Sequence, residues 1–170
     1  QGENYGPEAP PSGSNGEPVA APEKKAPKEP KLCLVLGPGM ARAWAHAGVI
    51  DVLRRNNLPI HCVVGVEMGG VVGAFYALSA SVNTMQWQPF KINEENFLNF
   101  PMISLGKKRS SGKKFHAFLQ GIFSNRKIET LKVKFATVAT RANGTPQIFT
   151  SGGVAEALSA SVALPGVFDP

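Results

Sequence analysis

Gly65-Val66-Glu67-Met68-Gly69 has the G-x-S-x-G spacing of a strand-to-helix turn that presents a nucleophilic serine, but glutamate stands in the serine's place. The flanking glycines let strand and helix backbones approach closely at a sharp, strained bend, and such a bend serves to expose one side chain. A carboxylate there accepts hydrogen bonds or acts as a base. As an acyl-transfer nucleophile it would form an anhydride, far less manageable than a serine ester, so ordinary hydrolysis through this turn is not expected. The blander reading is that Glu67 hydrogen-bonds the helix N-terminus, where a carboxylate gains about 0.3 to 1 kcal/mol.

A second glycine-bearing segment, Gly37-Pro38-Gly39-Met40-Ala41-Arg42, also follows an apolar run and opens a helix. A dinucleotide fingerprint, G-x-G-x-x-G, would need glycine where Arg42 stands and an acidic residue about 20 residues on; the nearest strand-end acid, Glu67, lies well beyond that. Among the other polar candidates, Arg42 is expected in a structural ion pair, with Glu67 as a partner. His46 reads as a packed, hydrogen-bonded histidine. Ser159 and Ser161 read as small helix-packing residues, since no His or Asp is placed by sequence to activate them. His61 and His116 have no evident partner.

The elements that must position these residues follow from the hydrophobic pattern. Residues 31–36 and 60–65 read as buried strands. Residues 41–56 read as a helix with Trp44, Val49, Val52 and Leu53 at apolar positions, stopped by Asn56-Asn57-Leu58-Pro59. Residues 68–80 form a buried helix directly after the turn. The alternation of strand and helix argues for a parallel sheet covered on both faces. Residues 81–106, rich in Asn and Phe, read as a long loop over the sheet or a short helical flap. Residues 113–123 have helical spacing at Phe115, Phe118, Leu119 and Ile122. Residues 133–140 and 147–150 read as strands joined by the turn pair Asn143-Gly144, and 154–162 as a short helix ended by Leu164-Pro165.

With 170 residues, 43% of them hydrophobic, the chain holds one domain with a real core. Residues 1–30, repetitive in Pro, Gly, Ser, Glu and Lys, have Tyr5 as their only aromatic and read as a disordered tether. Such a tether follows the lipid-anchored cysteine of bacterial envelope lipoproteins, so a periplasmic or outer-membrane lipoprotein is one expectation and a plain disordered tail the other. No apolar run reaches the 18 to 20 residues or so of a membrane span. Cys33 and Cys62 lie in the predicted strands and are expected as two buried thiols; a disulfide between neighbouring strands is possible but not implied, and no metal site is expected. The net charge of +6 is concentrated at Lys107, Lys108, Arg109, Lys113 and Lys114, which reads as a solvated basic loop or as a contact for anionic lipid or phosphate. Nucleic acid is not expected, because no aromatic platform interleaves with these residues.

Four blocks, in order, carry a family resemblance. They are Leu34-Val35-Leu36-Gly37-Pro38-Gly39-Met40-Ala41-Arg42-Ala43 with the helix after it, Gly65-Val66-Glu67-Met68-Gly69-Gly70, Val138-Ala139-Thr140, and Ala157-Leu158-Ser159-Ala160-Ser161-Val162-Ala163-Leu164-Pro165-Gly166-Val167-Phe168. Together they are similar to the patatin-like phospholipases, serine lipid acyl hydrolases with a Ser-Asp dyad. The resemblance makes these blocks the glycine-rich oxyanion loop, the nucleophile elbow, a following strand and the A-S-x-x-x-P-x-x-F segment. It covers the chain from Leu32 to Pro170 and leaves only the tether outside.

The departures fall on the chemistry. The family's G-G-G-x-R-G aligns with Pro38-Gly39-Met40-Ala41-Arg42-Ala43, so only the middle glycine and the arginine match. Pro38 has no N–H to aim at developing negative charge, and one lost oxyanion donor costs about 2.7 to 4 kcal/mol of barrier. Met40 adds a side chain where the family has none. The family's dyad aspartate lies in D-G-[GA], a motif in which neither Asp51 nor Asp169 stands. What the resemblance implies is a three-layer α/β/α domain over 31–170, with a mainly parallel sheet, incomplete at its C-terminal end. Its expected role is that of a pseudoenzyme that binds lipid or an acyl group in the inherited cleft, or a protein partner or second chain completing the domain, without cofactor. The competing expectations are a lipid acyl hydrolase using a non-standard site, with Glu67 as base for water or another serine acting, and a structural envelope lipoprotein.

Overall fold

A computed structural model describes residues 31–81 and 112–163. The expected tether at 1–30, the loop or flap at 82–106, and Lys107, Lys108 and Arg109 lie outside the described residues, as do Leu164, Pro165, Gly166, Phe168 and Asp169. Lys113 and Lys114 fall in the first turn of a helix, and their side chains are likewise outside what is described.

The chain forms β1 (Leu32–Leu36), a 3-10 turn (Met40–Trp44), α1 (Ala45–Arg55), β2 (Ile60–Val66) and α2 (Met68–Ser79). After the second described segment begins come α3 (Gly112–Phe123), a 3-10 turn (Ile128–Thr130), β3 (Lys134–Thr140), β4 (Pro146–Phe149) and α4 (Val154–Val162). The sheet order is β1-β2-β3-β4, with the first three strands parallel and β4 antiparallel to β3. This is the mainly parallel α/β architecture that the alternating elements predict.

Two differences from expectation have local causes. The helix expected from residue 41 starts as a 3-10 turn, because Arg42 N–H bonds the carbonyl of Gly39, three residues back, at 2.9 Å and so tightens the first turn. The two cysteines, expected as free buried thiols, form a disulfide. They are register partners on β1 and β2 with Cα atoms 4.6 Å apart, inside the span a disulfide bridges.

β1, expected as a fully buried strand, is buried on one face only. Leu32, Leu34 and Leu36 pack toward the core, while Cys33 is exposed and Val35 is 76% exposed. Val35 shares its row with Val64 and Ala136, while Val66 and Val138 share theirs with the 59% exposed Ile148. The core lies on the other face, where α2 is buried along Met68–Ala77 and α4 packs beside it and against β3. Phe75 of α2 stacks between Trp44 and Phe123 with ring centroids 6.0 and 5.4 Å away, tying the start of α1 and the end of α3 to the central helix.

Candidate functional site at the elbow

β2 turns into α2 at Glu67, whose backbone sits at φ 56, ψ −130, a conformation that costs a non-glycine residue about 1 to 3 kcal/mol and persists only where its surroundings enforce it. The surroundings do so from three sides. A Cβ on Gly65 would run into the backbone of Gly70, and one on Gly69 into the carbonyl oxygens of Leu36 and Gly37, so the bend closes only with glycine at both places. Thr137 of β3, fully buried, donates its hydroxyl to Gly65 O at 2.9 Å. Ser161 of α4 accepts the Glu67 N–H at 2.9 Å and donates to Val138 O at 2.7 Å. Ser161, read from sequence as a packing residue, is therefore what holds the elbow's strained amide. Its bond spans 94 positions, and no local pattern signals it.

The Glu67 carboxylate, 7% exposed, turns toward the loop after β1. Its Oε2 accepts the backbone N–H of Gly39 at 2.7 Å and of Met40 at 3.1 Å. The expected ion pair with Arg42 does not form among the described residues, and the side chain does not cap α2, whose N-terminus it was expected to bond. The reason is geometric. Met40, at φ 48, sits in a left-handed turn at the start of the 3-10 segment, next to an N-cap with no side-chain cap of its own, and a carboxylate reaching across from β2 satisfies both amides. Two backbone donors at 2.7 and 3.1 Å from one negative oxygen is the geometry by which an oxyanion hole stabilises charge. His46 hydrogen-bonds Gly37 O through Nε2 at 3.0 Å and so fixes the loop from α1.

Around this pair opens a cleft of about 1110 Å³ at the C-terminal ends of β2 and β3. Its apolar wall includes Val66, Val138, Ala139, Ala160 and Ala163, and its charged side chains are Arg42, Arg141 and Glu67. Gly37, Pro38, Gly39, Met40 and Arg42 of the degenerate loop and Gly65, Glu67 and Gly69 of the elbow thus converge on one place.

A second constellation escaped the sequence. His116 Nδ1 on α3 lies 2.9 Å from Ser159 Oγ on α4, and Gln120 Nε2 lies 2.6 Å from Glu156 Oε1 and 3.5 Å from His116 Nε2. The expectation that Ser159 lacks a histidine and His116 a partner is therefore overturned. The chain of contacts runs against a nucleophile, however. The Ser159 hydroxyl donates to Ala155 O at 2.7 Å, so His116 satisfies the set by donating from Nδ1 while Nε2 accepts from Gln120. The imidazole thus donates a hydrogen bond to the serine oxygen instead of accepting one from its hydroxyl. His61, also expected without a partner, lies 3.1 Å through Nδ1 from Pro59 O. Among the described residues no group of three His, Cys, Asp or Glu is placed to hold a metal ion.

Comparison with known proteins gives this loop and elbow a lineage. The family model of patatin-like phospholipases matches residues 34–170. An uncharacterised NTE family protein of Mycobacterium tuberculosis is 31% identical over 154 residues, covering 89% of this chain and 42% of the relative. Lysophospholipase nte1 of Aspergillus fumigatus is 30% identical, over 81% of this chain and 9% of the fungal protein. The chain therefore spans less than half the length of these relatives. Among solved structures, full-length ExoU in complex with full-length SpcU, from the type III secretion system of Pseudomonas aeruginosa, superposes with a TM-score of 0.50 at 16% identity, covering 80% of this chain and 39% of that one, a likeness of fold alone. One family model runs without a break through the loop that donates, the elbow that accepts and the helix that braces them, and the chain belongs to the patatin-like phospholipase family.

Proposed function

We propose that this chain is a patatin-like pseudoenzyme that binds acyl lipid in its cleft and does not cleave it. One observation carries the reading: the Glu67 carboxylate occupies the backbone N–H groups of Gly39 and Met40. A reacting ester carbonyl would need those donors for its developing charge, and each such donor is worth about 2.7 to 4 kcal/mol of barrier. Here both are engaged by a fixed anion, which also repels a second anion placed beside it. The elbow offers no hydroxyl, and Ser161, which lines the cleft, is committed to Glu67 N and Val138 O.

Acyl binding is supported by the apolar wall of the cleft and by relatives named as lysophospholipase and neuropathy target esterase. The test is hydrolysis of a short-chain p-nitrophenyl ester and of a lysophospholipid by the purified chain, beside Glu67→Ala and Glu67→Ser. No turnover above buffer is expected from any of the three, with folding verified by circular dichroism. Turnover in the unmodified chain that vanishes in Glu67→Ala would make Glu67 catalytic and overturn the proposal.

A further inference from the structure

We infer that the cleft selects anionic amphiphiles, a single acyl chain ended by a carboxylate or a phosphate, and that Arg42 and Arg141 make the selection. The inference rests on the acyl-binding reading above and names the chemistry of the ligand's head. Three charged side chains line the cleft among the described residues, and they differ in what they face. Glu67 is buried and directed at backbone amides. Arg42 and Arg141 line the cleft and are exposed, and no carboxylate lies within ion-pair distance of either among the described residues.

Arg141, the first residue after β3, is oriented as well as unpaired. Its Nε and Nη2 both donate to Gln147 Oε1 on β4, with the Nε contact at 3.0 Å. Gln147 thereby fixes the plane of the guanidinium and leaves the Nη1 edge, with its two donors, for an anion. Arg42 is carried on the 3-10 turn whose first amides Glu67 binds, so its backbone is anchored while its guanidinium has no internal partner among the described residues. Val66, Val138, Ala139, Ala160 and Ala163 line the same cleft with apolar surface. Glu67 adds direction. The Glu67 carboxylate repels an anionic head from the Gly39 and Met40 amides and the two guanidiniums attract it, so the ligand lies with its head on the arginines and its chain along the apolar wall. Arginine forks bind carboxylate and phosphate in bidentate fashion, which an uncharged head does not reproduce.

The test uses calorimetric titration with dodecanoate, dodecyl phosphate and uncharged monododecanoylglycerol, each below its micellar concentration, and with inorganic phosphate alone. The proteins are the unmodified chain, Arg42→Gln, Arg141→Gln and the double variant. The two anionic amphiphiles are expected to bind about tenfold or more tighter than the glycerol ester, and the double variant to abolish that ratio. Whichever anion binds more tightly identifies the head. Equal binding of charged and uncharged chains would overturn the inference and leave the acyl cleft standing. Inorganic phosphate binding as tightly as dodecyl phosphate would also overturn it, replacing an amphiphile site with a free-anion site. Binding of none of the ligands would remove both this inference and the acyl-binding reading.

Discussion

Among the described residues serine and glutamate come together in two places, which differ in what the side chains serve. At the elbow, Glu67 and Ser161 both engage backbone: the carboxylate accepts hydrogen bonds from two amides of the loop after β1, and the serine accepts one from the amide of Glu67 itself. Where α3 meets α4, Glu156 accepts a hydrogen bond from the side-chain amide of Gln120, and Ser159 donates its hydroxyl to its own helix at Ala155 O. The first meeting holds a residue at positive φ beside a large cleft. The second joins two ordinary helices. The residue types alone carry no function; the bent backbone and the open space next to it separate a site from a fastening.

The comparison breaks most readily at the glycines. Gly69→Ala would drive a Cβ into two carbonyl oxygens, and a loss of about 3 to 5 kcal/mol in urea denaturation is expected, whereas Gly121→Ala in α3, with open space around it, should stabilise by about 0.5 to 1 kcal/mol. Comparable losses at both positions would deny the elbow its special closure. The serines give a sharper and smaller contrast. Ser161→Ala leaves the Glu67 N–H and the Val138 carbonyl without their partner and should cost about 1 to 3 kcal/mol, while Ser159→Ala, which frees only a helix carbonyl and an imidazole that water can reach, should cost less than about 1 kcal/mol. An equal cost in the same denaturation experiment would mean that the two serines do the same work.

The smallest effect concerns a third carboxylate, Glu129, which like Glu67 accepts a backbone N–H, from Gly152 at 3.0 Å, but is exposed. Hydrogen bonds from its own backbone N–H and from that of Gly152, with the charge of Lys127 adding to them, hold its carboxyl below the ordinary value of 4.5. A carboxyl depressed in the folded state contributes stability that is full above 4.5 and is lost as pH falls through the lower folded value. Glu129→Gln should therefore flatten the acid side of the stability curve slightly below pH 4.5 and leave neutral pH unchanged. An unaltered acid limb would show that an exposed backbone-bonded carboxylate adds nothing.

The sequence disclosed whatever is periodic or adjacent. The apolar runs located β1 and β2 to within a residue, the glycine-flanked Glu67 marked the bend before α2, and α4 was read with its observed limits. What it did not disclose joins positions far apart. The Glu67 contacts to Gly39 and Met40 span 28 and 27 positions, His116 to Ser159 spans 43, and Ser161 to Glu67 spans 94. Such pairings depend on which strand lies beside which, and no local spacing contains that. Cys33 shows the same limit. Its apolar neighbours read as a buried strand, but alternation turned every second residue of β1, the cysteine included, away from the core.

That outward-facing disulfide has a consequence for the site on the strands it joins. Gly39 stands six positions after Cys33, and Glu67 five after Cys62. The two strands are clasped at both ends, by sulfur at one and by a carboxylate holding amides at the other. In a compartment that keeps thiols oxidised, loop and elbow are two arms joined by a covalent clasp; in a reducing one, strand pairing, core packing and the carboxylate's hydrogen bonds hold them together without it.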